Sequence, residues 1–188
     1  MSFQTPKQVF HSIAESGATK IQTGTVKVLL LGFLAGAYIA FGGLLAIKEG
    51  AGIPRIKESN PGLASLLFGG VFPVGLMLLV MAGAELFTGN TALLIPALKK
   101  KTVTYRQIVK NWILSYVGNF IGSIFVAYFF VSITGVLSND PWYSATIAIA
   151  EAKVNQEFVQ LFFKGIACNW LVCLAVWLTV SSNQVSGK

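Results

Sequence analysis

Met81-Ala-Gly-Ala-Glu-Leu-Phe-Thr-Gly-Asn-Thr91 lies in the middle of an apolar run from Leu66 to Leu98. Such a run predicts a membrane helix, because lipid offers nothing to satisfy free backbone N–H and C=O groups. Yet its centre holds polar groups and two glycines, namely Glu85, Thr88, Asn90, Thr91, Gly83 and Gly89. Polar, glycine-interrupted segments at membrane depth are tolerated where they face protein or a water-filled cavity, and in transporters they mark the substrate site. The stretch therefore predicts a broken helix on a transport pathway; the alternative is a kinked helix whose polar groups only bond to neighbouring helices.

The bulk composition indicates an integral membrane protein and excludes several other classes. Of the 188 residues, 54% are hydrophobic and 11% charged, and the net charge is +7. A soluble domain carries about 25% charged residues, so the lipid bilayer is the expected environment. The basic residues lie at helix ends and in loops rather than on one surface, so no nucleic-acid partner is expected. The single histidine, His11, lies outside every predicted span, and no nucleophile arrangement or cofactor loop is recognised. We therefore predict no enzyme, no metal site and no cofactor.

Four hydrophobic elements are long enough to cross a hydrocarbon core of about 30 Å. They form a predicted transmembrane channel domain, 25–180, with spans at 25–47, 61–98 (broken), 105–134 and 157–180. Residues 1–24 are predicted to form an amphipathic interfacial helix, with a fraying tail as the alternative, and 181–188 form a polar end. The loop after the second element holds five basic residues and no acid, namely Lys99, Lys100, Lys101, Arg106 and Lys110. This asymmetry places that loop and the N-terminus in the cytoplasm, and residues 136–156 outside.

Helical spacing indicates two further features of the spans. Phe72 and Leu76 are four residues apart and share a face, so they are candidates for a pore constriction; ordinary lipid or core packing explains the same spacing. Small residues recur four apart in the first and third spans, in Gly32-x-x-x-Gly36 and Gly118-x-x-x-Gly122. Glycines at this spacing let membrane helices pack closely.

Several long strings resemble the formate/nitrite transporter family, in that family's order. They are Gly83-Ala-Glu-Leu-Phe-Thr-Gly-Asn90, Asn111-Trp112 through Gly118-Asn119, Ala152-Lys153-Val154, and Lys164-Gly-Ile-Ala-Cys-Asn-Trp-Leu-Val-Cys-Leu-Ala-Val-Trp177. The resemblance extends from about Gly24 to Leu178. It implies an all-α, aquaporin-like bundle built from inverted repeats, assembled as a homopentamer with one pore per protomer. It also implies transport of small monovalent anions such as formate, nitrite or hydrosulfide across a cell membrane, such as the bacterial plasma membrane.

The resemblance also assigns roles to individual residues. Thr88 matches the threonine at the pore centre, Lys153 the lysine of the outer vestibule, and Asn169 an asparagine that faces the pore. Glu85 and Asn90 lie in the matching broken helix and are predicted to belong to the substrate pathway. The constriction positions are matched by Phe72, Leu76, Leu86 and Phe87. In the implied mechanism, Lys153 and the half-helix N-terminus near Thr88 attract the anion, and protonation lets a neutral acid pass the apolar filter.

The sequence departs from the family pattern in its number of spans. The resemblance implies six spans and a second broken helix with a central histidine, whereas this sequence has the first half and the opening helix of the second. His11 cannot replace that histidine, because it precedes the first span. We expect that the chain was cut short; a split or defective member is the alternative. Two other functions stay open, a neutral-solute channel of the aquaporin type and a non-transporting membrane scaffold subunit.

Overall fold

The computed structural model describes residues 3–184, which fold into nine α-helices within that range. These are α1 Pro6–Ile21, α2 Thr25–Ala51, α3 Pro54–Ser59, α4 Pro61–Val71, α5 Val74–Ala82, α6 Phe87–Lys99, α7 Tyr105–Phe125, α8 Trp142–Val154 and α9 Phe158–Ser181. The end of α7 continues as a π-helix over Val126–Ser132.

Between residues 3 and 184, four stretches of helix are long and apolar enough to cross a membrane. They are Thr25–Ala51, Pro61–Ala82, Tyr105–Ser132 and Phe158–Ser181, and the second of these combines α4 and α5. Many of their large apolar side chains, among them Leu66, Phe120 and Leu171, face outward in the isolated chain. An apolar exterior on long helices suits a hydrocarbon environment. The predicted all-α membrane fold with a broken second span is thereby confirmed.

Helices α2 and α7 form the tightest pair, and glycines allow their backbones to touch. A Cβ atom built at Gly36 would collide with the Asn119 carbonyl oxygen, and one at Gly122 would collide with the Phe33 carbonyl oxygen. Small residues at membrane helix interfaces act in this way, by letting two backbones approach closely. The α2–α7 pair therefore provides a fixed frame against which the broken span packs.

Helix α1 packs against the bundle along one face. Thr5 and Gln8 form a capping box at its start, and Pro6 occupies its first turn. Val9 and Ile13 are each 1% exposed and pack with Leu93 of α6, with Val176 of α9 lying against the same cluster. The buried face of α1 thus contacts both α6 and α9.

Helix α8 lies within residues 136–156, the segment between the third and fourth spans that is predicted to lie outside. The Trp142 indole nitrogen donates a hydrogen bond of 2.9 Å to the Lys48 carbonyl oxygen, and the Lys48 ammonium lies 3.5 Å from the centre of the same ring. This cation–π contact and the hydrogen bond fix the start of α8 against the end of α2.

Candidate functional site

The second hydrophobic element, predicted as a broken span over 61–98, is interrupted between α5 and α6 at residues 83–86, directly after the apolar stretch Pro61–Ala82. Gly83 adopts a left-handed conformation, with φ of 69°, and closes the last turn of α5. Leu86 is extended and precedes the first residue of α6, Phe87. Glycine tolerates positive φ without the steric penalty that other residues incur, which explains the stop at this position. The chain therefore presents a C-terminal and an N-terminal helix end within a single membrane-spanning element.

Asn119 of α7 holds the broken backbone together. Its Oδ1 accepts from the Phe87 N–H at 2.9 Å, and its Nδ2 donates to the carbonyl oxygens of Glu85 at 2.8 Å and Gly32 at 2.9 Å. The Glu85 N–H donates to the Leu31 carbonyl at 3.2 Å. Non-helical backbone persists at membrane depth only where such partners satisfy it. One amide side chain thus replaces the helical hydrogen bonds that the break removes.

A buried polar network surrounds the Glu85 carboxylate, which is 3% exposed. Lys20 of α1 forms an ion pair with Glu85 Oε1 at 2.6 Å, and Asn90 Nδ2 donates to Glu85 Oε2 at 2.7 Å. Asn90 Nδ2 also donates to Asn111 Oδ1 at 2.9 Å. A buried carboxylate is tolerated when it is paired and hydrogen-bonded in this way. The network joins α1, the break, α6 and α7 through side chains.

Thr88 and Asn169 approach each other through Thr91. The Thr91 hydroxyl donates to the Thr88 carbonyl oxygen at 2.6 Å and accepts from Asn169 Nδ2 at 3.1 Å. The half-buried Thr88 hydroxyl has no hydrogen-bond partner among residues 3–184, and Asn169 Oδ1 is buried without one in the same range. Leu86, the residue before α6, provides no side-chain cap, and the first N–H of the helix, that of Phe87, is bonded to Asn119 Oδ1. The beginning of α6 therefore combines a helix N-terminus with hydroxyl and amide groups of α6 and α9.

The four predicted constriction residues lie along the broken span in different surroundings. Leu76 and Leu86 pack against one buried cluster, formed by Ala35, Leu79 and Ala84. The Phe87 ring meets the rings of Trp112 and Tyr116 edge to face, at centroid distances of 6.3 and 5.5 Å. Phe72, at the junction of α4 and α5, is 39% exposed. The structure thus brings Leu76 and Leu86 together on one cluster and leaves Phe72 the most open of the set.

Lys153 lies apart from the break. It is exposed in the last turn of α8 and forms no ion pair or side-chain hydrogen bond with residues 3–184. The neighbouring Lys164 donates instead to Gln156 Oε1 at 2.7 Å. Within the described chain, Lys153 is therefore a free surface cation rather than a member of the Glu85 or Thr88 cluster.

Two elements of the site were not predicted from the sequence. The sequence pattern does not single out Lys20, although it is the partner of Glu85, 65 residues away. Asn119 was noted only within the third-span string, although it clamps the break. A signal for Lys20 did exist, because a carboxylate inside a membrane demands a nearby cation or donor. The clamp had no such signal, since nothing local connects Asn119 to residues 85–87.

A multi-pass helical membrane protein whose second span is broken at a polar stretch has the architecture of a membrane transport protein. The formate/nitrite transporter family model matches residues 7–188. The chain is 40% identical to a probable formate transporter of Methanothermobacter thermautotrophicus, over all of this chain and 73% of that protein. It is 42% identical to the formate channel BtFdhC of Bacillus thuringiensis, over all of this chain and 71% of that protein.

Solved structures agree with these relatives. An FNT family ion channel superposes with a TM-score of 0.85 at 29% identity, covering 96% of this chain and 71% of that one. A pentameric formate channel with formate bound superposes with a TM-score of 0.76 at 31% identity, covering 87% of this chain and 63% of that one. The chain belongs to the formate/nitrite transporter family, whose members named here are channels and transporters rather than enzymes.

Proposed function

We propose that this protein conducts small monovalent anions of weak acids, of the formate, nitrite and hydrosulfide class, along a path that passes the start of α6. The observation that carries the proposal is the break at residues 83–86, which brings together the N-terminus of α6 and a Thr88 hydroxyl that has no hydrogen-bond partner among residues 3–184. The named relatives are formate channels and transporters, which supports an anion as the solute.

Charge explains why the break suits an anion. Moving an ion from water to a medium of low dielectric constant costs about 20 kcal/mol in the idealised case, and still several kcal/mol after relaxation. A helix N-terminus carries about half a positive elementary charge and free N–H donors, so the first turn of α6 offsets part of this cost. Lys153, exposed at the end of α8, concentrates anions at the outer mouth before they enter.

The apolar residues on either side of the break select against charge. Phe72, Leu76, Leu86 and Phe87 offer no hydrogen bond to a hydrated anion. Passage is therefore coupled to protonation, which converts the anion of a weak acid into a neutral molecule that crosses apolar surface at lower cost. Glu85 and Asn90 keep the cytoplasmic side of the break in place, because the carboxylate is already bonded to Lys20 and Asn90.

The proposal includes an oligomeric state and an orientation in the membrane. We expect a homopentamer in the cell membrane, since one superposed structure is a pentameric formate channel. The last turn of α1 packs beside the loop of basic residues 99–110, since Ala18 and Ile21 lie against the cluster of Leu94, Ala97, Val103 and Ile108. Positive charge in that loop supports its placement in the cytoplasm.

Thr88→Val tests the proposal because it removes the hydroxyl and keeps the branched shape. Formate uptake into proteoliposomes is expected to fall at least tenfold, whereas Thr88→Ser retains most of the uptake. The matched control is Thr134→Val, since the exposed Thr134 hydroxyl donates to the carbonyl oxygens of Phe130 and Val131 in the π-helix that ends just before it. Wild-type uptake by a folded Thr88→Val protein would contradict a pathway past Thr88. Equal loss in both valine variants would show that the effect is not specific to the break.

A further inference from the structure

A polar cavity lies between the α1–α2 linker and the first turns of α7. Its volume is about 180 Å³, and its polar lining consists of Lys20, Thr23, Thr25, Gln107, Lys110 and Asn111. A cavity of about 10–15 Å³ is large enough for one water molecule. A cavity of about 180 Å³ therefore has room for a small polyatomic ion. It opens on the basic face that carries residues 99–110.

Asn111 supplies an unpartnered donor to this cavity. The residue is 4% exposed, and its Oδ1 accepts from Asn90 Nδ2 at 2.9 Å. That contact fixes the orientation of the amide and leaves Nδ2 as its free end. Nδ2 is buried and makes no hydrogen bond with any residue between 3 and 184. A buried donor without a partner is costly, so an acceptor is expected on the cavity side of Asn111.

Positive charge converges on the same space from three elements. Helix α2 begins at Thr25 after Gly24, which provides no side-chain cap, and its 27 residues give a full helix dipole. Such a helix N-terminus favours anions. Lys110 of α7 is exposed and forms no ion pair within the described residues. Lys20 is paired with Glu85, but its ammonium has three hydrogens and so retains donors for a second acceptor.

We propose that this cavity binds a phosphate group on the cytoplasmic face of the protein, separately from the transport pathway at Thr88. The donors among the lining residues include the ammonium groups of Lys20 and Lys110 and the Asn111 amide nitrogen, and Thr25, the first residue of α2, lines the same cavity. A tetrahedral oxyanion has acceptor oxygens for each of them, whereas a carboxylate has two oxygens in one plane. The phosphate group can belong to free inorganic phosphate or to the headgroup of an anionic phospholipid, since the basic face adjoins the membrane surface.

Binding of inorganic phosphate to the purified intact protein in detergent tests the site directly. Titration is followed by the thermal melting midpoint and by ³¹P NMR line broadening, at constant ionic strength maintained with sodium chloride. Lys110→Gln removes the unpaired cation, and Asn111→Asp keeps an oxygen towards Asn90 while replacing the free donor with an acceptor. Each variant should weaken binding at least tenfold, since one charge-assisted hydrogen bond is lost. Lys99→Gln is the matched control, because it removes one charge from the same face without lining the cavity. It should bind phosphate within about twofold of wild type.

Native mass spectrometry of protein extracted from membranes distinguishes the two sources. Phospholipid adducts that are present in wild type and lost in Lys110→Gln identify a lipid headgroup. Saturable binding of inorganic phosphate without such adducts identifies free phosphate. The proposal is overturned if Lys110→Gln and Asn111→Asp match wild type in both measurements, or if wild type binds neither ligand. Because none of these measurements uses transport, their outcome is independent of the proposed function.

Discussion

Asn119→Leu should destabilise the protein by about 2–6 kcal/mol, because the Asn119 side chain satisfies two backbone groups at the break, the Glu85 carbonyl oxygen and the Phe87 N–H. The substitution keeps a branched side chain of similar shape and removes three hydrogen bonds of 2.8 to 2.9 Å. The Gly32 carbonyl lies within α2 and keeps its helical partner, so the Phe87 N–H and the Glu85 carbonyl are the two groups left unsatisfied. Each such group costs about 1–3 kcal/mol. Side-chain hydrogen bonds measured inside membranes average about 0.6 kcal/mol, and three of them give the lower end of the range.

The control for this change is Ser123→Ala, one turn further along α7 at the same interface. The Ser123 hydroxyl donates to the carbonyl oxygens of Gly36 and Asn119, both of which lie inside helices, so its removal leaves no orphaned group. We expect a loss below about 1 kcal/mol for the control. Reversible unfolding in mixed detergent micelles gives the free energy of unfolding, and formate uptake into proteoliposomes reports the shape of the break. If Asn119→Leu is as stable as Ser123→Ala and transports normally, the clamp has no structural role.

Three further predictions concern other parts of the chain. Gly36→Ala should lower the melting midpoint and the yield of folded protein, because the added Cβ meets the Asn119 backbone. Gly43→Ala, which has open space around it, should change neither quantity. Equal behaviour of the two variants would refute the close α2–α7 contact. Lys153→Gln should reduce anion uptake at low salt more than Lys153→Arg does. Wild-type uptake should fall towards that of the Gln variant as salt is added, because the charge is screened over a Debye length of about 8 Å at physiological ionic strength. Equal uptake by wild type and the Gln variant at low salt would exclude the attraction. Hydrogen bonds from the Ser144 hydroxyl and N–H hold the pKa of Asp140 below its ordinary value of 3.8, so this stabilisation is present above pH 3.8 and is lost as the pH falls through the lower folded pKa. Asp140→Asn should therefore lower the melting midpoint slightly at pH 7, and the difference should shrink in acid; a difference independent of pH would exclude this linkage.

The membrane fold follows from the sequence because it depends on local quantities. Run length and composition are enough to predict helices at membrane depth, since lipid forces backbone groups to pair within each segment. The break follows for the same reason, because Gly83 and the polar groups beside it conflict with a continuous lipid-facing helix. Helix α8 is not evident from its residues, Trp142–Val154, because they have no clear apolar stripe and the residue before them, Pro141, provides no side-chain cap.

The site itself depends on contacts between distant parts of the chain, and these could not be predicted. Glu85 and Lys20 are 65 residues apart, and Glu85 O and Asn119 Nδ2 are 34 residues apart. Each pairing is decided by how α1 and α7 pack on the break, and hydrophobic periodicity gives the buried face of a helix but not the neighbour that occupies it. The sequence therefore predicted which residues of the second span are unusual, but not which residues satisfy them.

The pairing of Lys20 with Glu85 gives α1 a structural part in the break rather than the role of an appended interfacial helix. The Glu85 carboxylate is 3% exposed, and burying an isolated charge is expensive, so it needs a cation or hydrogen-bond donors close by. The cation comes from α1, and the position of α1 is fixed independently by Val9 and Ile13 packing near α6 and α9. The break is thus supported from two sides by different chemistry: a neutral amide of α7 satisfies its backbone, and an ammonium of α1 neutralises its carboxylate. A movement of α1 away from the bundle would take the Lys20 cation away from the Glu85 carboxylate, which lies beside the start of α6, where an anion is proposed to pass. The position of α1 therefore affects the electrostatic cost of that passage without any contact between α1 and the solute.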